Sequence, residues 1–391
     1  MSSASPIGAA GSRPVAARRL PLLAAAAACL LAGLAGGLAR LGVPGAAPPP
    51  AAAEHGILMT LGFLGTLIAL ERAVALRRPW GYLAPTLCGL GGLTAALGVA
   101  APWPALLFAT AAAWLVATYV AMWQRQPALH ITVQAMGALA WWGGAVTWLP
   151  AVSAHLPGEG GVPAMVPWLA AFVVLTIAGE RLELSRVALL GPADHERSQR
   201  EVLGWSGLIL AGPVLTIASP ELGYRVLAVG LLLLAVWLVR HDIARHTVRA
   251  TGLTRYMAVC LLAGYVWMSV AGVIWLVGGE LDGRGAYDAA VHAVFLGFAM
   301  SMVFGHAPVI LPAVLRIRLP YRPRAYVALA MLHVGLVVRL VGGDLLGHEG
   351  LRIAGGIVGV LSLLAFVVGS AVTAVAGRHG PTVARRVGVP R

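Results

Sequence analysis

Apolar stretches of about 20 residues follow one another along nearly the whole chain, and the loops between them are too short to hold a folded soluble domain. Inside hydrocarbon every backbone N–H and C=O needs an internal partner, which leaves only helices or a closed barrel. Long apolar runs without strict alternation select helices. Of the 391 residues 59% are hydrophobic and 11% are charged, a balance that no soluble core of this length could bury. At roughly 20 residues per crossing of about 30 Å, the runs fall near 20–39, 55–76, 81–101, 103–124, 130–150, 164–185, 202–219, 222–240, 255–278, 287–311, 325–342 and 350–377. The expectation is an all-α, polytopic integral membrane protein with 12 transmembrane helices. Residues 1–19 form an N-terminal tail, 20–377 the membrane domain and 378–391 a C-terminal tail.

A formal charge of +13 would suit nucleic acid if the cations shared one face, but they are scattered between the spans. The expected partner is therefore the lipid bilayer and not nucleic acid. The chain has no Lys, and 23 of its 28 Arg lie on the tail or on loops of the N-terminal side; only Arg40, Arg225, Arg284, Arg339 and Arg352 lie on the other. Positive-inside bias then places both termini in the cytoplasm. Arg18 and Arg19 before an apolar run also fit a secretory signal, but the run is as long as a full crossing and is read as a span.

Cys29, Cys88 and Cys260 stand singly in apolar runs and read as packing residues. Gly89, Gly91 and Gly92, like Gly355, Gly356 and Gly359, let helices approach closely in lipid. Trp141, Trp142 and Trp148 read as an interfacial belt with some packing. Ile68-Ala69-Leu70-Glu71-Arg72 is echoed four spans later by Ile177-Ala178-Gly179-Glu180-Arg181, and Gly62-Phe63 by Gly297-Phe298 in the tenth span, a spacing that suggests three four-helix units. Neighbours on a helix point about 100° apart, so Glu71 and Arg72 are not expected to pair with each other. Crossed pairs, Glu71 with Arg181 and Glu180 with Arg72, stand against four solvated headgroup residues.

Of the eleven histidines, His195, His241, His246, His348 and His379 fall in charge-rich loops, tails or span ends, and His155 in a Gly/Pro loop. His130 opens the fifth span, where an interfacial role suffices. His55 opens the second span and His292 lies near the start of the tenth; both helices run inward from the outer face, so the two imidazoles are expected at similar depth. Two such rings offer the trans axial nitrogens of a six-coordinate haem iron; the plainer alternative is two hydrogen-bonded histidines near water. Arg339 interrupts the eleventh span near its outer end and needs an anion, either a haem propionate or Asp344. His306, about 21 Å of helix below His292, and His333 are candidates for a second metal site or a proton path, against singly bonded packing roles. There is no phosphate-binding Gly loop, nucleophile elbow, covalent-haem motif or metalloprotease motif.

Twelve spans in three four-helix units, with histidines at the outer ends of the second and tenth, resemble the catalytic subunit of haem-copper oxidases and nitric oxide reductases. The chain is more closely similar to NnrS-type proteins, haem-containing relatives linked to the nitric oxide response. The similarity lies in His55-Gly56-Ile57-Leu58-Met59-Thr60-Leu61-Gly62-Phe63 and Ala290-Val291-His292-Ala293-Val294-Phe295-Leu296-Gly297. It implies haem b on His55 and His292, with Arg339 beside the propionates. It also implies nitric oxide as a small ligand, and oxidoreductase or electron-transfer chemistry with quinol or a donor protein. Three departures stand out. Ile57 occupies the place of a second histidine, Gly305-His306-Ala307-Pro308 replaces the family's run after the tenth span, and the sixth and seventh spans lack copper-holding histidines. Copper and a binuclear centre are therefore not expected. From other classes, a secondary transporter coupling protons through buried Glu, Arg and His is the runner-up, and a membrane sensor or assembly factor the third reading.

Overall fold

A computed structural model describes residues 19–153, 162–185, 192–281, 283–315, 317 and 319–378. Among these residues all regular structure is helical. The long helices are α1 Leu20–Arg40, α2 His55–Leu76, α3 Leu83–Ala96, α4 Trp103–Arg125, α5 Leu129–Ser153, α6 Val162–Ser185, α7 Pro192–Thr216, α8 Pro220–His241, α9 Gly252–Gly278, α10 Gly285–Leu315, α11 Ala325–Leu345 and α12 Glu349–Arg378. Local chemistry sets several ends. Proline sits in the first turn of α1, α4 and α8, where its missing N–H costs nothing. The Ser219 side chain accepts from the Leu222 N–H to cap α8, and α9 stops at Gly279, whose φ of 59° favours glycine.

Nine of these helices, all but α3, α5 and α7, are long and apolar enough to cross a membrane. The three others coincide with expected spans but differ for visible reasons. The α3 helix has only 14 residues; α5 is diluted by Gln134, Gly143, Gly144 and three tryptophans; the first half of α7 is the charged run 194–201.

Sequential neighbours pack as antiparallel pairs, notably α3 with α4, α5 with α6, α7 with α8 and α11 with α12. The α6 helix lies at the centre, 83% of its apolar window being buried, whereas α12 lies at the periphery with 17%. The α1 helix packs on α2 and α3 and also touches α12, while α10 sits between α9 and α11. One expectation about aromatics changes here. Trp141 and Trp148 are buried, Trp141 against Phe172 at 5.0 Å, and only Trp142 of that cluster faces outward. The three cysteines are free and buried, as packing residues should be.

Three helices widen into π-helical turns: Leu58–Gly65 in α2, Ala293–Ala299 in α10 and Val338–Leu345 in α11. Such turns are rare and concentrate at functional sites. Here the first begins three residues after His55, the second directly follows His292, and the third contains Arg339.

Candidate functional site

His55 and His292 meet. Their ring centroids are 6.5 Å apart and the ring planes differ by 17°. The His55 Nδ1–H donates to the Gly33 carbonyl of α1 at 2.6 Å, and the His292 Nδ1–H donates to the Asp288 carbonyl one turn earlier at 2.8 Å. A carbonyl can only accept, so both rings carry a proton on Nδ1, and in the neutral imidazole the lone pair is left on Nε2. The close lean of His55 on α1 depends on Gly37, where a Cβ would stand 2.8 Å from the His55 Cε1.

Asp288 is the residue that sequence reasoning missed. Its Oδ1 lies 3.3 Å from the His292 Nδ1, and its Oδ2 accepts from Nε and Nη2 of Arg339 at 3.0 and 2.7 Å. Arg339 is thus paired with Asp288 and not with Asp344, whose Oδ2 has no hydrogen-bond partner among the described residues. The available signal was the Asp-x-x-x-His spacing, which places a carboxylate on the same helix face as the imidazole. A carboxylate behind a histidine fixes the ring and raises its basicity, as in metal sites where the outer partner orients the ligand.

This donor set fits a metal that brings its other ligands with it. The 6.5 Å between the ring centroids is of the order that two imidazole–metal bonds of about 2.0–2.1 Å and two ring radii would add up to. Among the described residues no group of three or more His, Cys, Asp or Glu is placed to hold a metal ion. Two protein nitrogens suffice for haem iron, whose macrocycle supplies the remaining four donors.

The other histidines are placed differently. The His306 Nδ1–H donates to the Met302 carbonyl at 2.7 Å, and its Nε2 faces Nη1 of Arg181 at 3.4 Å, so both nitrogens are engaged. The His333 Nδ1 accepts from the Trp267 indole at 2.9 Å, with the two rings stacked at 6.4 Å, while Nε2 is buried with no hydrogen-bond partner among the described residues. Trp267 in turn fills the space over Gly297, where a Cβ would lie 2.4 Å from the indole.

At the opposite end of α2 and α10, charges gather inside the bundle. Arg181 donates through Nε and Nη2 to Asp242 at 2.7 and 2.9 Å, and the Tyr265 hydroxyl donates to the same carboxylate at 2.6 Å. Burial alone would raise the Asp242 pKa, but the hydrogen bonds and charge of Arg181 outweigh it and hold the carboxyl below its usual range. Arg72 reaches Glu71 at 2.5 Å and Glu180 at 3.9 Å. The Glu180–Arg72 half of the crossed pairing is therefore present, and the Glu71–Arg181 half is replaced by Asp242. Contrary to expectation, the neighbours Glu71 and Arg72 do pair. Their Cβ directions diverge, but the long arginine side chain turns its guanidinium back toward the carboxylate.

One family model, described as a domain of unknown function (DUF8744), matches residues 19–375. No curated protein and no solved structure matches the chain.

Proposed function

The chain belongs to the DUF8744 family, and we propose that it is a membrane haem protein in which His55 and His292 ligate one b-type haem. The observation that carries this reading is the facing pair of imidazoles, each with Nδ1 tied to a backbone carbonyl and Nε2 bare, at a separation that accommodates one metal ion. The π-turns beside both histidines and Arg339 support the same location. In this reading the Gly33 carbonyl and Asp288 orient the two rings, and Arg339 keeps Nη1 outside its ion pair as a donor toward a propionate. Held by His55 and His292, a haem would supply one-electron redox chemistry, which suits electron transfer from quinol or a donor protein. The role is redox or nitrosative stress handling, or quinol-linked electron transfer, in a bacterial inner membrane, with twelve spans and both termini cytoplasmic. His306, with both nitrogens engaged, serves the charge network and not a second metal.

The test is the optical spectrum of the detergent-purified protein, oxidised and then dithionite-reduced, with a pyridine haemochrome assay. Sharp reduced bands of a b-type haem at one per chain are expected. A colourless, fully folded protein that takes up no added haem overturns the assignment. It would favour proton-coupled transport, for which the buried Arg72, Arg181 and Asp242 and the partly buried Glu180 are the supporting observation.

A further inference from the structure

A cavity of about 260 Å³ lies beside the start of α2. It is walled at one end of the bundle by the short helix Pro49–Ala53, the turn after α3, the first turn of α4 and the end of α5. Apart from Glu54 its lining is apolar, with Pro50, Pro104 and the Trp148 indole among the walls. Gly98 lets the turn close on Pro50: its φ is 73°, and a Cβ there would stand 2.8 Å from the Pro50 Cγ. Ala53 is exposed and stands at the mouth.

Glu54 joins the short helix to α2 and directly precedes His55. Its Oε2 is buried with no hydrogen-bond partner among the described residues. A buried acceptor in that position costs stability that a donor on a ligand restores. Chemistry narrows the occupant. An anionic headgroup is repelled by the carboxylate. An ammonium brings three donors, and Glu54 is the only lining side chain that carries an acceptor. A phenolic hydroxyl needs just one. An apolar cavity of roughly 150 Å³ admits benzene, so this one has room for a ring with several small substituents, against whose faces the indole can pack. Leu97, Val99 and Trp103 form an exposed apolar rim on the turn and at the start of α4. Such a rim faces lipid in a membrane protein, so the occupant enters from the bilayer.

We infer that this cavity binds the headgroup of a lipid-soluble hydroquinone, with one ring hydroxyl donating to the Glu54 carboxylate. The choice of a hydroquinone over another phenol rests on the haem reading above, because Glu54 adjoins His55 and such a ring is a source of electrons. The cavity, its apolar walls and its carboxylate do not rest on that reading.

The test is anaerobic binding of tetramethylhydroquinone to the full-length protein in nanodiscs, with empty nanodiscs as background. Saturable uptake of one probe per chain is expected. The tetramethylbenzene of the same substitution pattern, which lacks both hydroxyls, should bind about tenfold more weakly, the size of one hydrogen bond to a charged group. Glu54→Leu should erase that preference. Ala53→Trp plugs the mouth from an exposed position and should abolish uptake of both rings. Absence of saturable uptake, a preference that persists in Glu54→Leu, or uptake that survives Ala53→Trp overturns the inference. Octylammonium binding more tightly than the hydroquinone overturns it in favour of a lipid amine. The optical spectrum separates this site from the haem: a haem-loaded protein that takes up no probe loses the cavity site alone, and a colourless one that still binds the probe loses the haem alone.

Discussion

His292 and His306 lie on the same helix, and each donates its Nδ1–H to the carbonyl four residues earlier, yet they end in opposite situations. Beside the His292 ring stands a second imidazole, its centroid 6.5 Å away, whose Nδ1 is likewise tied to a backbone carbonyl. Across from the Nε2 of His306 stands a guanidinium, itself clamped by Asp242. The backbone hydrogen bond is therefore not what makes a histidine a ligand. It only sets the tautomer; in the proposed haem reading the neighbouring group decides between a ligand role and a place in the charge network.

The most severe way to break this contrast is to remove each imidazole. His55→Ala and His292→Ala should each abolish the haem spectrum while leaving the protein in the membrane. His306→Ala should leave the spectrum at full height. Absorbance of the three purified variants is the check, and equal loss in all three would erase the distinction.

Next in size is the clamp. Arg181→Gln leaves Asp242 buried without its cation, which costs about 3–5 kcal/mol for a buried pair. Thermal denaturation in detergent should register this as a large drop, with the haem bands intact below the transition. A smaller change is expected from Asp288→Asn, which keeps the shape but withdraws the carboxylate behind His292. Loss of such an outer partner typically weakens metal affinity about 10–100-fold, to be read by titrating haem into the apoprotein. An unchanged affinity would mean that the backbone carbonyl alone orients the ring.

The smallest effect is a pH dependence confined to one end. Asp242 has its folded pKa depressed below the unfolded value of about 3.9. Its contribution to stability is therefore complete above that value and is lost as pH falls through the lower, folded one. Melting temperature measured down into that acid range should decline for the wild type and decline less for Asp242→Asn.

Much of the architecture could be read before any coordinates. Apolar runs of span length announce helices because the bilayer forbids unpaired backbone, and each of the twelve runs coincides with a helix. His55 and His292 were legible as a pair because the alternation of spans places both near the starts of helices that run in the same direction. Asp288 and Asp242 were not. The first hid in an ordinary i, i+4 spacing, and the second lies 61 residues from the arginine it clamps, in a loop that looks solvated in sequence. Glu71 with Arg72 was misjudged because helical periodicity describes where Cβ points and says little about where a flexible guanidinium ends.

By itself the sequence determined that the solvent is lipid, that the chain is helical and which imidazoles are candidates, since these follow from hydropathy and spacing along one dimension. Only the tertiary structure decided which charges neutralise which, which ring nitrogens stay bare, and that His306 belongs to a different network from His292. Those outcomes depend on side-chain reach between helices far apart in sequence, where an ångström separates an ion pair from an unpaired charge.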